Sequence, residues 1–196
     1  MPGFPHKPET PLAFGLGYIN VCSMHLLRTA NLLAALAVAV GDALQEADLS
    51  PSAAAALLTI AQWEPIAALE LAAVVGLSQS AAVRLVDELA AAGLVRRLEK
   101  KGRAVPLALT ATGRRRAKAL QARRLTVLDT ALATLGRDAR AGLEAALPGL
   151  LAAFTAGRAA ARRICRFCDH GLCRDGGCPV GTAATAIDGP FVRPKL

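Results

Sequence analysis

Apolar positions along the chain recur mainly at helical spacing, with one short interruption. Ala67–Val75 is an apolar run of helical character, Gly76-Leu77-Ser78 reads as a tight turn, and Gln79–Ala92 reads as a second helix. In that second helix Ala82, Leu85, Val86 and Leu89 fall at i, i+3, i+4 and i+7, one apolar stripe. Gln79, Ser80, Val83, Arg84 and Asp87 lie away from the stripe. Ser78 is suited to cap the helix, because its hydroxyl accepts from free backbone N–H groups of the first turn. Gly93 is suited to stop it, because glycine takes the left-handed conformation cheaply. Helix, glycine turn and helix predict a helix-turn-helix. The pattern then changes. Leu94–Leu98 and Ala104–Leu109 are short strand-like runs, joined by Glu99-Lys100-Lys101-Gly102-Arg103, which predicts a hairpin with a basic tip.

The flanks are helical. Leu12–Ala47 reads as one long helix or a broken pair. Ser50-Pro51 opens a helix to about Glu64, since proline suits a first helical position, and Pro65 ends it. Thr110 caps a long helix to about Leu135. Its Ala117, Leu120, Leu125, Leu128, Leu132 and Leu135 make a seam for another helix. A last helix is expected from Ala139 to Ile164, kinked at Pro148-Gly149. The predicted fold class is mainly α with a small β-hairpin wing: a winged helix-turn-helix flanked by long N- and C-terminal dimerisation helices. The expected domains are a flexible arm over 1–13, the winged-helix domain over 14–164 with its core at 50–113, a cysteine appendage over 165–181, and a disordered tail over 182–196. The longest apolar run, Leu32–Gly41, is about half the ~20 residues a membrane span needs, so no spanning helix and no membrane partner are expected. Met1–Pro11 is proline-rich without an apolar segment, so no secretory signal is expected and the location is read as cytoplasmic.

Charge gives these elements a partner. The net charge is +8 and the pI about 9.9. The positive residues cluster at Arg96–Arg103, Arg114–Lys118, Arg123-Arg124 and Arg158–Arg166, which favours a polyanion. A surface helix that opens Gln-Ser and carries Arg84 a turn later can read base edges in a major groove, while a basic hairpin reaches phosphate or the minor groove. The candidate DNA-binding residues are Ser78, Gln79, Ser80, Val83, Arg84, Lys100, Lys101 and Arg103. An ordinary solvated polar face would use the same residue types, and the wing favours the DNA reading. For Arg114–Lys118, phosphate contact and a solvated face stand level.

GLSQSAAVRLVDELAAAGLVRR followed by GRAVPLALTATGRRR resembles the MarR family of bacterial winged-helix regulators. The resemblance implies a homodimeric repressor of transcription on double-stranded DNA, released by a small-molecule effector or by oxidation. It places Gln79, Ser80 and Arg84 at recognition-helix contacts and Arg103 at the wing arginine. Two positions depart from the family. Glu99-Lys100-Lys101-Gly102 stands where an acidic loop is usual, and Val83 stands where a small polar residue is common. A two-fold dimer would set recognition helices about 34 Å apart and match a pseudo-palindromic operator.

The chain has five cysteines, and Cys165, Cys168, Cys173 and Cys178 form a C-x2-C-x4-C-x4-C pattern in ICRFCDHGLCRDGGCPV. Four thiolates can close a tetrahedral zinc site, and the same set can hold an iron–sulfur cluster or act as free redox thiols. His170 could replace one thiolate, and nearby arginines would offset the negative charge. An alternative function follows: a metal or iron–sulfur redox protein using its winged helix as an interaction scaffold. Cys22 and His25 lie a turn apart, and the packing role of a small apolar cysteine is favoured over sensing. Trp63 is expected as a core anchor beneath the helix-turn-helix. An enzyme is not expected, because the chain shows no usefully spaced carboxylate pair or phosphate loop, and four thiolates leave zinc no open position.

Overall fold

The structure, a computed structural model, describes residues 21–46, 48–102, 104–174 and 177–192. It divides into two units, residues 1–42 and 43–196. The first holds α1, Val21–Ala43, whose Met24, Leu26, Leu27, Leu32, Leu36 and Val38 are exposed. Met24–Ala43 is 20 residues long with a mean hydropathy of 1.4, apolar and long enough to cross a bilayer by length and composition. This corrects the expectation from the unbroken run Leu32–Gly41, because isolated Arg28 and Asn31 interrupt the run without lowering the mean enough. The same length and composition suit a helix packed on another chain. The expected arm, the start of this helix and the Cys22 side chain lie outside the described residues.

The second unit is built around α2, Pro51–Trp63. Ser50 Oγ accepts from the Ala53 N–H at 3.1 Å, and Pro51 opens the first turn. Ala53–Ile60 are all buried, so this helix is enclosed on every side. Leu57, Leu58 and Ile60 share one core with Ile66, Leu71, Leu85, Val86, Leu89, Val95, Leu107, Leu109, Ala117 and Leu120. Each large aliphatic side chain buried there stabilises the fold by about 1.5–3 kcal/mol.

Two helices cover this core on one side: α3, Ala68–Val75, and α4, Gln79–Ala91, with a 105° bend between them. Gly76 sits at φ +78° and donates to the Ala72 carbonyl at 2.9 Å, ending α3. The sheet has three strands in the order β1-β3-β2, all antiparallel: β1 Ile66–Ala67, β2 Val95–Arg97 and β3 Pro106–Leu109. Ile66 pairs with Leu107, and Val95 pairs with Leu109. The hairpin was expected, with longer strands. β1 was not, because two residues are too short to show a period.

Helix α5, Ala111–Ala133, begins at Thr110, whose Oγ1 accepts from the Gly113 N–H at 2.9 Å and donates to the Gly93 carbonyl at 2.6 Å. The Leu109 N–H donates to Glu64 Oε2 at 2.7 Å, and Arg114 bridges Glu64 Oε1 and the Leu109 carbonyl. Glu64 therefore ties the end of α2 to β3 and α5.

The C-terminal part differs from expectation. Pro148 is accommodated inside α6, Arg137–Ala153, and the chain breaks instead at Gly157, which has φ +113°. There the Arg158 N–H donates to Asp188 Oδ2, capping α7, Arg158–Ile164. A single helix to Ile164 is thus replaced by two. A 3₁₀ turn, Cys165–Phe167, leads to α8, His170–Arg174, and α9, Pro179–Asp188. The expected disordered tail from 182 is corrected as far as Asp188. Val180 and Ala184 are buried against Ala161, which gives α9 an apolar seat.

A Cβ on Gly113 would stand 1.9 Å from the Leu94 carbonyl oxygen, backbone that cannot swing aside. Gly113→Ala is expected to cost about 1–3 kcal/mol, the range for overpacking. Chemical denaturation would show it as a lower midpoint with an unchanged slope.

Candidate nucleic-acid interface and cysteine-lined cavity

The apolar stripe of α4 is sunk in the core: Ala82, Leu85, Val86 and Leu89 are all buried. That fixes the opposite face outward. Gln79, Ser80, Val83, Arg84, Asp87 and Glu88 are exposed, Val83 at 41%. Ser78 Oγ accepts from the Ala81 N–H at 3.3 Å and lies 3.2 Å from Ser80 Oγ. Ser78 is therefore the cap that starts the helix, as its sequence position suggested.

The wing stands on the same side. Lys101 and Ala104 pair across the tip, the Lys101 N–H donating to the Ala104 carbonyl at 2.8 Å, and Gly102 takes φ +57° between them. Lys100 and Lys101 are exposed. Arg103, expected as the wing arginine, lies outside the described residues. Arg97 on β2 reaches Asp87 on α4 at 2.6 Å, joining wing to helix. One open groove of about 660 Å³ is lined by Gln79 and Val83 from α4 and by Arg97, Lys101, Gly102 and Val105 from the wing. The helix face and the hairpin tip thus form a single surface.

The arginines that open α5 divide differently. Arg114 pairs with Glu64 at 3.1 Å; Arg116 pairs with Glu46 at 3.2 Å and Asp48 at 2.6 Å; Arg123 reaches Glu46 at 2.6 Å. These hold α5 to the segments flanking α2, a role that neither of the two sequence readings, phosphate contact or a solvated face, included.

Residues 49–102 match the sequence profile of the MarR family. Solved structures extend the likeness over most of the chain. Wild-type MarR from E. coli, in its apo form, is 23% identical, with 62% of this chain and 96% of that one covered and a TM-score of 0.54. A MarR family protein from Bacillus stearothermophilus is 21% identical, covering 68% and 96%, at a TM-score of 0.55. RV1404 from Mycobacterium tuberculosis is 26% identical, covering 73% and 96%, at 0.52. No curated protein sequence matches. The fold is the MarR winged helix. The profile match ends at Gly102, on the wing, so the cysteine region lies beyond the matched MarR segment.

That region lines a cavity of about 250 Å³. Its walls carry Cys165, Cys168, Cys173 and Cys178 together with Trp63, Arg158, Arg162, His170 and Phe191. Trp63, at the end of α2, packs against the core as expected and also forms one wall of this cavity. Its ring meets His170 and Phe191 edge-on at 5.4 and 5.7 Å, and the Arg162 guanidinium lies over it at 5.1 Å. Arg162 also pairs with Glu70 of α3 at 2.7 Å, although the two are not aligned as a hydrogen bond. The cysteine region therefore meets the end of α2 at Trp63, while α7, just before it, meets α3 through Arg162 and Glu70.

The four thiols are free and half-buried. Cys165 neighbours Cys168 and Cys178, and Cys173 neighbours Cys178. The contact with Cys165 holds the Cys168 thiol down to about 7; burial opposes this, and the Arg124 guanidinium assists it. The Cys165 thiol is pushed up by the same contact and by burial. Among the described residues, no three His, Cys, Asp or Glu side chains stand ready-made to hold a metal ion.

Ser78→Ala is expected to cost about 0.5–2 kcal/mol of stability, whereas Ser78→Asp, which still caps, keeps most of it. Thermal melts of both variants check this. Unchanged stability in Ser78→Ala would remove the capping role.

Proposed function

We propose that the protein is a sequence-specific double-stranded DNA-binding transcriptional regulator that acts as a homodimer. The observation that carries this is the shared surface of α4 and the wing, where Gln79 and Val83 of the outward face border one groove with the lysine-bearing tip, and Ser80 and Arg84 are exposed beside them. The MarR match over 49–102 supports the same reading. In the proposed complex α4 enters the major groove. Gln79 and Arg84 hydrogen-bond to base edges, Ser80 lies beside them, and the exposed Val83 meets a thymine methyl. Lys100, Lys101 and Arg103 neutralise phosphates beside it.

Dimerisation is supported by apolar surface left open on single helices. Leu125 and Leu132 of α5, Leu147 and Leu150 of α6 and, beyond the end of α6, Phe154 are exposed, as are the leucines of α1. A second copy covering these side chains would remove them from water and set two α4 helices about one DNA turn apart, on a pseudo-palindromic operator. Repression, with release by a bound effector, is what MarR resemblance implies. Occupancy of a site overlapping the promoter would express it.

Gel shifts on DNA upstream of the protein's own gene test the proposal. Arg84→Ala is expected to lose about 1–3 kcal/mol of discrimination at its base pair. Lys101→Ala should instead weaken all sequences alike and lower the salt slope by about 1. Binding without sequence preference in the wild type, or both variants behaving as wild type, would overturn the docking. A monomer in sedimentation at working concentration would overturn the dimer separately.

A further inference from the structure

The DNA-binding surface makes no use of the four cysteines, yet the fold brings them to one cavity from three local elements. Cys165 opens the 3₁₀ turn, the Cys168 N–H closes it onto the Cys165 carbonyl at 3.0 Å, and both residues line the cavity. Cys173 comes from α8, and Cys178 caps α9. Cys165 neighbours Cys168 and Cys178, and Cys178 neighbours Cys173. Thiols are weak donors and weak acceptors, so their own hydrogen bonds give little reason to gather four of them.

One of the four sulfurs stands at a helix N-terminus. The Gly181 N–H donates to Cys178 Sγ at 3.3 Å, in the first turn of α9, where helix N–H groups favour negative charge. A Cβ on Gly181 would sit 3.4 Å from Cys178 Cβ and 3.6 Å from its sulfur, ordinary packing distance, so this glycine borders the sulfur directly. Arg158 and Arg162 line the cavity. Cationic walls repel a bare metal ion but stabilise an anionic complex.

We propose that Cys165, Cys168, Cys173 and Cys178 together bind one thiophilic divalent cation with the chemistry of zinc, as a closed tetrathiolate. The four S–H bonds lose their protons to solvent as four metal–sulfur bonds form, and the complex carries a net charge of −2 that the surrounding arginines offset. No three ligands are at metal-holding positions as the side chains lie. The sulfurs close in on the ion, and binding therefore tightens the segment from α7 to α9. The site is structural, because four protein ligands leave no open position for a substrate. Through Trp63 and Glu70 the tightened segment braces the end of α2 and α3.

The test uses the full chain, reduced and stripped of metal by a chelator under anaerobic conditions. Cobalt(II) alone is then titrated. Sulfur-to-cobalt charge-transfer bands with tetrahedral ligand-field bands should saturate at one equivalent per chain and be bleached by zinc. Zinc should raise the melting temperature of the stripped protein. Cys165→Ser and Cys173→Ser should each weaken binding about 10-fold or more, since even outer-shell changes cost that much, whereas Cys22→Ser should keep it. The cobalt titration of the wild type stands even if a serine variant fails to fold. No thiolate bands, an iron–sulfur absorption in the anaerobically purified protein, or a disulfide among these cysteines in its mass spectrum would each overturn the proposal. None of these results depends on whether the protein binds DNA.

Discussion

Everything in the second unit depends on the burial of α2. An amphipathic helix has one face to bury, but Ala53–Ile60 leaves none of its faces to water. α3, α4, β3 and α5 pack around it because their apolar side chains have no other core to join. The alanines at positions 53–56 matter as much as the leucines that follow. Their small size lets neighbouring helices approach closely, and alanine carries no side-chain entropy cost in a helix. The stripe of α4 is held on this core, and the outward direction of Gln79, Ser80, Val83 and Arg84 follows from it.

One end of α2 carries two loads. Its C-terminal end passes into Glu64, which accepts from the backbone of β3 and from Arg114 of α5. A carboxylate that joins strand and helix in this way fixes the wing relative to the core, and Gly113 lets α5 lie directly on the Leu94 carbonyl. Trp63, one residue earlier, faces the cysteine-lined cavity. The same helix end is therefore in contact with the supports of the wing and with the four thiols. Whatever changes the packing of α7–α9 against Trp63 and Glu70 acts on the element that carries α3.

The sequence shows most of the interface because strong local signals agree there. The i, i+3, i+4, i+7 stripe of α4, the Ser78 cap, the Gly76 turn and the strand-like runs around Lys100-Lys101 all point to the same arrangement. What was not legible depends on long-range partners. β1 exists only because Ile66 pairs with Leu107. Arg114 and Arg116 read equally as phosphate contacts or a solvated face until Glu64, Glu46 and Asp48 are placed beside them. Pro148 is a local helix breaker that the helix tolerates, whereas the break at Gly157 depends on Asp188, distant in sequence. The tail expected to be disordered from 182 is helical as far as Asp188. Its helix is held by Val180 and Ala184 against Ala161, a contact no local pattern displays. The convergence of the four cysteines on Trp63 was likewise invisible, although their spacing was plain.

Hydrogen exchange with and without operator DNA tests the central claim most directly, that α4 and the wing tip form one outward surface held by a buried α2. DNA should slow exchange together in the first turns of α4, from Gln79 to Arg84, and at the wing tip around Lys100–Gly102, while α2 stays slow in both states. Protection confined to α5 or the cysteine region, or DNA that speeds exchange in α2, would contradict that arrangement.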